Sequence, residues 1–482
     1  MSSDPERLAS ADSFWLDADV TGPSIAIGAL TVVDGPAPTI EEMRELTAQR
    51  LPKMERLRQR VRPSSIRLKR PTWETVDQVD LDHHVRAVTL DAPADRAALE
   101  RLVGRIMEIP LDLDRPLWDS HVVYGLPDDG WAMVTRMHHA VADGQAAVLL
   151  MGRWLDTDPA GTKSLTAALE QLMAAAGPSG GSAPSGGSEG PVRDSGLDKN
   201  TRTQRSLAQA FSQGGDLILR TLRKGVEAAP EAIAQAGEGL STMVGRKPGS
   251  LAGRPGDGRH WVSVDVSLSD VKRIRKAHGG TVNDVVMTLL SGGYRKAIEA
   301  LDEPLAGRIV RVLVPVSIRT PGDLATNNQV SGLFVQIPVD GTAAERLTTI
   351  RTHINKLKGS GFPAAGKLMW EATQSTPAAL QTVVVGNMTT LPAYIMETLV
   401  TNVPGPQFPI YLAGRKLRAM YPIIPLGGSL RVSTGVLSYD GTLNFGISGG
   451  TYAGDQIAQI REGISETLNE LLSPAQQTPA PA

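Results

Sequence analysis

The chain has 482 residues, of which 41% are hydrophobic and 21% are charged, and this length predicts two domains or two lobes rather than one core. Its formal net charge of −2 provides no general attraction for nucleic acid, so we expect no nucleic-acid partner. The sequence contains no cysteine, which excludes disulfides, thiolate metal ligands and a cysteine nucleophile.

Residues 1–176 are predicted to form a first lobe of mixed strands and helices. Apolar runs rich in β-branched residues predict strands at 25–33, 121–126 and 131–137. Apolar residues at helical spacing predict helices at 40–51 and 96–107.

A low-complexity stretch divides the chain. Residues 177–200 begin with GPSGGSAPSGGSEGP, and a segment this rich in Gly, Ser and Pro cannot bury enough apolar surface to fold. We therefore predict a flexible linker at 177–200, a helical connector at 201–248, a second lobe at 249–472 and a disordered tail at 473–482.

The second lobe repeats the mixture of strands and helices. Strands are predicted at 261–267, 309–316, 332–339 and 442–448. Helices are predicted at 269–279, with Ser269 as cap and Gly279 as stop, and at 282–301 and 454–472. Intermixed strands and helices in both halves indicate α/β or α+β lobes, with mixed sheets backed by helices.

The most informative stretch is MHHAVADGQAA at 137–147. A predicted strand precedes it and a predicted helix follows, so His138 and His139 lie at a strand-to-helix turn. Such a turn can direct side chains into a cleft from a rigid scaffold. Asp143 stands where a helix cap is expected, and Gly144 can adopt backbone angles that other residues avoid.

The alternative is that both histidines are ordinary loop residues and Asp143 is only a cap. The sequence offers a comparison, since DHHVRAV at 82–88 has a histidine pair without Asp-Gly four residues later. A histidine pair alone therefore carries little information. The full HHxxxDG pattern should arise by chance in about one chain per thousand of this length, which favours a functional role.

The functional interpretation makes His139 a general base. Imidazole can be neutral near pH 7 and can accept the proton of an alcohol that attacks an acyl carbonyl. The sequence has no cysteine, and no nucleophile elbow of the G-x-S-x-G type is predicted. Direct attack in a ternary complex is therefore a simpler scheme than a covalent acyl-enzyme.

Several stretches resemble a known family. The HHxxxDG motif is typical of the coenzyme A-dependent acyltransferase superfamily. PLDLDRPLWDSHVVYGL (110–126) and TVNDVVMTLLSGGYRKAI (281–298) are similar to the P-L-W and N-D blocks of the bacterial wax ester synthase/diacylglycerol acyltransferase family. The opening LASADSFWLDADV and three later blocks, at 313–320, 401–417 and 438–448, resemble that family in the same order.

The resemblance implies two lobes of the chloramphenicol-acetyltransferase type with an active-site tunnel between them. Acyl-CoA would enter from one side and the alcohol from the other, with acyl-CoA as substrate and no cofactor. It implies His139 as the base, His138 as a supporting residue and Asp143 as a structural one. Asn283 and Asp284 match the N-D block and are expected to shape the site from the second lobe.

Three further residues are candidates for the substrate site. Arg319 is a candidate partner for Asp143 across the lobes, and the alternative is a surface or loop-anchoring arginine. Trp118 in the P-L-W block is expected in core packing first and in lining the acyl tunnel second. Asn402 can position a substrate carbonyl, but a turn residue before Pro404 is the favoured interpretation.

A few segments of the sequence bear on the cellular location of the protein and on its association with a membrane. The N-terminus lacks the pattern of a signal peptide, and no apolar run is long enough to span a membrane. Residues 203–240 predict either a basic amphipathic segment that rests on an anionic membrane or a connector between lobes. We expect a cytoplasmic protein that associates peripherally with a membrane or a lipid droplet, and no metal site.

The sequence therefore predicts an O-acyltransferase that moves a long-chain fatty acyl group from CoA to diacylglycerol, forming triacylglycerol. A wax ester synthase that uses a long-chain fatty alcohol is the first alternative. A condensation-type enzyme acting on carrier-protein thioesters and a non-catalytic lipid-droplet-binding homologue are the others. Substitution of His139 by alanine separates an enzyme from a coat protein.

Overall fold

The computed structural model describes residues 6–9, 12–13, 15–16, 24–64, 70–142, 144–166, 249–317, 330–359 and 396–473. These ranges contain two six-stranded sheets and a small two-stranded sheet, with helices packed against them. The mixed architecture confirms the predicted α/β class. The predicted linker at 177–200, the connector at 201–248 and residues 474–482 of the tail lie outside the described ranges.

The first sheet is completed by a segment from the C-terminal half of the chain. Its strands, in spatial order, are β11 (Tyr411–Leu412), β12 (Arg415–Ile423), β1 (Ala26–Val33), β6 (Trp131–His138), β5 (Trp118–Tyr124) and β4 (Val85–Thr89). Strand β12 pairs antiparallel with β1 over Gly28–Val33. The first lobe is therefore not continuous in sequence, because residues 411–423 lie inside the segment predicted as the second lobe.

The second sheet belongs entirely to the C-terminal half. Its strands, in spatial order, are β7 (Arg259–Ser267), β14 (Thr442–Gly450), β13 (Val432–Tyr439), β10 (Thr398–Val403), β8 (Ile309–Ser317) and β9 (Val330–Pro338). Strand β10 is parallel to both β8 and β13, whereas the other pairs are antiparallel. The carboxyl ends of β10 and β13 consequently lie at the same edge of the sheet.

Helices cover the sheets. The N-terminal half contains α1 (Ile40–Arg50), α2 (Leu81–His84), α3 (Arg96–Glu108) and α4 (Gly144–Gly152), together with 3-10 turns at Leu51–Lys53 and Glu55–Arg58 and the hairpin β2 (Gln59–Arg62) and β3 (Thr72–Thr75). The C-terminal half contains α5 (Leu268–His278), α6 (Val282–Glu299), α7 (Ala343–Gly359) and α8 (Gly454–Leu472). These last four bury apolar residues against one face of the second sheet and form its core.

Helix α5 begins one residue earlier than predicted. Its cap is Ser267, whose hydroxyl accepts a hydrogen bond from the backbone N–H of Asp270, and not Ser269. The Ser269 hydroxyl lies 2.7 Å from that of Ser267 instead. The prediction of Ser269 was wrong because β7 leads into the helix without an intervening loop. The stop at Gly279, which has a φ of 76°, is confirmed.

The two sheets meet along helix α3 and the edge of β7. Glu108 accepts a hydrogen bond from the backbone N–H of Arg259 at 2.8 Å, and Glu100 accepts one from that of Ser263 at 2.9 Å. The eight residues from Glu100 to Glu108 along the helix and the four from Arg259 to Ser263 along the strand both span about 12–13 Å. The two carboxylates are therefore spaced to accept from two backbone N–H groups on the edge of the second sheet. Between them, Gly104 lets the helix approach the strand, because a Cβ there would lie 2.4 Å from the Arg259 carbonyl oxygen.

Candidate active site

The predicted histidine motif forms the end of β6 and the turn that follows it. His138 is the last residue of the strand and pairs with Ala26 of β1. Its backbone N–H donates to the Leu117 carbonyl at 2.9 Å, and its own carbonyl accepts from Val141 at 2.9 Å. Helix α4 begins at Gly144. The strand-to-helix turn inferred from the sequence is therefore present, with both histidines at its start.

His138 serves the turn itself. It is 1% exposed, and its Nδ1 accepts a hydrogen bond from the backbone N–H of Ala140 at 3.0 Å. Because Nδ1 is the acceptor, neutral His138 carries its proton on Nε2. The side chain thus closes the turn on the residue after His139.

His139 is the more accessible member of the pair. It is only partly buried, and its backbone N–H donates to the carbonyl of Ile25 at 3.3 Å. Its imidazole stacks on the indole of Trp15, with ring centroids 4.1 Å apart and an angle of 24° between the planes. A partly exposed imidazole on a fixed turn makes His139 the candidate for a general base in this site.

The other histidine pair has a different environment. His84 is buried in α2, its Nδ1 lies 2.6 Å from the Trp118 carbonyl oxygen, and its ring stacks on the Trp118 indole. Burial lowers the pKa of His84 to about 4. His84 therefore has a structural role in the core, in agreement with the sequence argument that a histidine pair alone does not indicate a functional site.

Trp118 of the P-L-W block lies in the core. It is 1% exposed, and its indole N–H donates to the Leu57 carbonyl at 2.8 Å. Both faces and the polar edge of this side chain are thus surrounded by protein. Core packing was the first of the two roles expected for Trp118 from the sequence, ahead of lining the acyl tunnel.

A buried ion pair that the sequence analysis missed joins β6 to β5, two residues before His138. Arg136 of β6 donates from Nε and Nη2 to the two carboxylate oxygens of Asp119 on β5, at 2.7 and 2.8 Å. Burial alone would raise the pKa of Asp119, but hydrogen bonds and charge from Arg136, with His121, hold that pKa well below its usual range. The signal in the sequence was a pair of opposite charges within two neighbouring apolar strands.

The N-D block begins helix α6. Asp284 is buried and caps that helix, since its carboxylate accepts from the Thr281 N–H at 2.7 Å while the Thr281 hydroxyl accepts from the Asp284 N–H at 3.2 Å. Asn283 is partly exposed and accepts a hydrogen bond from the Asn402 side-chain amide at 3.2 Å. Asp284 therefore stabilises the start of α6. The side-chain amide of Asn283, the preceding residue, contacts Asn402 of the second sheet.

Asn402 lies within β10, opposite Val436 of β13, and not in a turn before Pro404. The favoured sequence interpretation was wrong because the strand continues to Val403. Val403 packs against the apolar cluster that also contains Ala140, Val141 and Ala142. The edge of the second sheet that carries Asn402 thus meets the core of the lobe that carries the histidine turn.

Two predicted residues cannot be placed. Asp143 and Arg319 lie outside the described ranges, so their pairing stays a prediction. The G-x-S-x-G spacing does occur as GISGG at 446–450, but its Ser448 lies inside β14 and is 5% exposed, which is not the geometry of a nucleophile elbow.

Neither a metal cluster nor a membrane-spanning helix is present among the placed residues. No group of three or more His, Asp or Glu side chains in the described ranges is arranged to hold a metal ion. Within the same part of the chain, no helix combines the length and apolar character needed to cross a membrane.

Comparisons with known proteins relate the chain to one family over most of its length. The sequence-family model for the wax ester synthase/diacylglycerol acyltransferase catalytic domain matches residues 8–286. The family model for the corresponding C-terminal domain matches residues 326–472. A probable diacylglycerol O-acyltransferase of Mycobacterium tuberculosis is 30% identical over 471 residues, covering 97% of this chain and 96% of the relative. A putative diacylglycerol O-acyltransferase of the same organism is 26% identical over 486 residues, covering 98% and 91%.

Solved structures share the two-lobed fold. The wax ester synthase/diacylglycerol acyltransferase from Marinobacter aquaeolei VT8 superposes with a TM-score of 0.65 at 21% identity, covering 96% of this chain and 99% of that one. The first condensation domain of the CDA synthetase superposes with a TM-score of 0.58 at 16% identity, covering 98% of each chain. At these identities the likeness establishes the fold, of the chloramphenicol-acetyltransferase type.

Proposed function

Since the chain belongs to the wax ester synthase/diacylglycerol acyltransferase family, we propose that it transfers a long-chain fatty acyl group from acyl-CoA to diacylglycerol, forming triacylglycerol. The observation that carries this proposal is the partly exposed His139 on a fixed strand-to-helix turn, inside the matched catalytic domain. The names of the curated relatives support diacylglycerol as the acceptor.

In this proposal His139 acts as the general base of a direct transfer. Its imidazole takes the hydroxyl proton while the alcohol oxygen attacks the thioester carbonyl carbon. A C–O bond forms, the C–S bond breaks, and the imidazolium returns the proton to the departing CoA sulfur. Every atom and charge is accounted for without a covalent acyl-enzyme, and the scheme requires neither a cofactor nor a metal ion.

The other motif residues have supporting roles in the proposal. His138 holds the turn through Ala140, which fixes the backbone of His139. We assign Asp143 and Gly144 to the start of α4, with Arg319 as the partner of Asp143 from the second lobe. Trp118 supports the turn from the core.

The second lobe is proposed to orient the substrate through an amide pair. Asn402 donates to Asn283, which leaves the Asn283 side-chain N–H groups to donate to a substrate carbonyl and the Asn402 oxygen to accept from a hydroxyl. Asp284 fixes the start of α6 and thereby the position of Asn283. We place a substrate tunnel between this pair and the histidine turn.

A long-chain fatty alcohol is the second candidate acceptor, because the family name covers both reactions. The same base and the same thioester serve either alcohol, so the shape of the acceptor channel decides between them. Discrimination of this kind amounts to about 1–3 kcal/mol per methylene group, spread over many contacts.

Both proposed acceptors are lipids, so the reaction is proposed to take place at a membrane or lipid-droplet surface with which the protein associates peripherally. Co-sedimentation with vesicles that contain diacylglycerol tests this association. Protein that stays in the supernatant with and without diacylglycerol would argue against it.

The proposed function is tested with the purified full chain and palmitoyl-CoA. Diacylglycerol, hexadecanol and a carrier-protein thioester are supplied in parallel reactions, and the lipid products and the released CoA are measured. Triacylglycerol as the main product supports the proposal, whereas wax ester alone would correct the acceptor and keep the mechanism. Failure to form either product above a His139→Ala blank would favour a carrier-protein substrate or a non-catalytic lipid-binding role.

A further inference from the structure

The N-terminal segment is fastened to the first lobe on both sides of Trp15. The backbone N–H of Leu8 donates to the Pro71 carbonyl at 3.0 Å, and that of Trp73 donates to the Glu6 carbonyl at 2.8 Å. The side chains of Leu8 and Leu16 are both buried in the apolar core of this lobe. Leu8 and Leu16 therefore pack in the same apolar core as the residues that follow the two histidines, Ala140 to Ala142.

Trp15 covers one face of the candidate base. The indole and imidazole planes are nearly parallel, with centroids 4.1 Å apart. Stacking occupies a face of the imidazole, whereas both ring nitrogens lie in the plane of the ring. The contact can thus hold the orientation of His139 without covering the lone pair that accepts the proton.

Orientation matters at this position because His139 lies in a turn. A catalytic group must be held within about 0.5 Å and 10–20° of its productive geometry. An imidazole on a turn can change its side-chain torsions unless another group restrains it. The charge that develops on the ring during proton transfer also lies against the electron-rich face of an indole, which stabilises a cation.

We propose that Trp15 is a positioning residue for His139, which fixes the plane of the imidazole and stabilises it while it is protonated. This inference rests on the proposed function of His139 as base. It gives a role to Trp15, which the sequence alone identified only as part of a segment that resembles a family N-terminus.

A structural role alone is the competing explanation, because the same protein stacks His84 on Trp118 inside its core at 4.7 Å. The two stacks differ in exposure, since His84 and Trp118 are fully buried whereas His139 and Trp15 are partly exposed. A purely structural role for Trp15 would change stability but not the chemical step. The experiment therefore has to measure both.

Three variants of the full chain separate these explanations. Trp15→Leu keeps an apolar side chain and removes the aromatic face, whereas Trp15→Phe keeps a face. Trp131→Leu makes the same change at the other end of β6, seven residues from His138, and controls for loss of packing in this lobe. For each variant we would measure kcat, KM for both substrates and the thermal unfolding midpoint.

A second readout does not depend on activity. The ring current of Trp15 shifts the C–H proton signals of the His139 imidazole upfield in a histidine-labelled sample, and the chain has only eight histidines to resolve. The signals of His139 are assigned by their loss in His139→Ala. Trp15→Leu is expected to abolish the upfield shift, and Trp15→Phe to retain part of it.

The inference predicts that Trp15→Leu lowers kcat about 5–30-fold with KM nearly unchanged, and that Trp15→Phe recovers most of the loss. Trp131→Leu should lower the unfolding midpoint without a comparable effect on kcat. Loss of the ring-current shift with kcat unchanged would overturn the inference and leave the proposed function standing. No acyl transfer by the unsubstituted protein, with the shift present, would instead overturn the proposed function and with it the catalytic role of Trp15.

Discussion

Arg136 and Asp119 form a buried ion pair between β6 and β5, with two hydrogen bonds of 2.7 and 2.8 Å between guanidinium and carboxylate. Arg136 lies two residues before His138 on the same strand. Its Nη1 also donates to the carbonyls of Ile106 and Ile109 at the end of α3. The Arg136 side chain therefore connects β6, which leads into the candidate base, to α3, the helix that contacts β7 of the second sheet.

Removing one partner of this pair should destabilise the protein strongly. We expect Asp119→Ala to lower the free energy of unfolding by about 3–5 kcal/mol, because it leaves the Arg136 charge buried without its counter-ion. Urea denaturation at pH 7 measures the loss. A change below about 1 kcal/mol would show that the pair contributes little.

The same pair should make stability depend on acid. The pKa of Asp119 is lowered in the folded protein, so its stabilising contribution is complete above the usual carboxyl pKa of about 4 and is lost as the pH falls further. The difference in stability between the unsubstituted protein and Asp119→Asn should therefore shrink below about pH 4. An unchanged difference down to pH 3 would contradict this account.

His84 should produce a second pH dependence at higher pH. Its pKa is about 4 in the folded protein and about 6.5 when unfolded, so between these values the unfolded chain binds a proton that the folded one does not. Stability should fall as the pH is lowered from 6.5 to 4, and this fall should be smaller in His84→Gln. Urea midpoints at pH 7 and pH 4.5 test this, with the exposed His260→Gln as control.

Gly104→Ala tests the contact between the lobes. In most helix interiors this change is stabilising by about 1 kcal/mol, but here the new Cβ would lie 2.4 Å from the Arg259 carbonyl oxygen. We expect a net loss of about 1–3 kcal/mol in unfolding free energy and a lower rate of acyl transfer, since α3 must move away from β7. Gly427→Ala is the control, because nothing lies within 4 Å of its new Cβ. Equal stability of the two variants would contradict the close approach.

Direct transfer predicts that no acyl-enzyme accumulates. The chain contains no cysteine, and Ser448 of its GISGG segment is buried within a strand. Intact-mass measurement after incubation with palmitoyl-CoA, without an acceptor, should show the mass of the unmodified protein. A covalent palmitoyl adduct that turns over when diacylglycerol is added would refute direct transfer.

The sequence predicted what depends on local pattern. The strand-to-helix turn at His138 and His139 follows from an apolar strand, an Asp-Gly pair and a helical run, and all three signals are local. The stop at Gly279 is local for the same reason. The predicted cap, Ser269, lies two residues after the observed cap, Ser267. The error arose because the end of β7 and the start of α5 share the same short segment.

The remaining features depend on pairing between distant strands. Placement of β12 beside β1 requires residues 415–423 to return to the N-terminal sheet, and no local pattern specifies that partner. The Arg136–Asp119 pair depends on the register of β6 against β5, in which those two residues are direct partners. The stack of Trp15 on His139 likewise joins residues more than a hundred positions apart.

The central claim is that His139 is the base of acyl transfer, and the rate of triacylglycerol formation by His139→Ala tests it most directly. His83→Ala is the matched control, because it removes a partly exposed histidine from the pair that lacks the Asp-Gly element. We predict that His139→Ala folds normally and loses at least about 100-fold in kcat, while His83→Ala stays within about three-fold of the unsubstituted rate. A His139→Ala variant that keeps a rate within a few-fold of the unsubstituted protein would contradict the assignment.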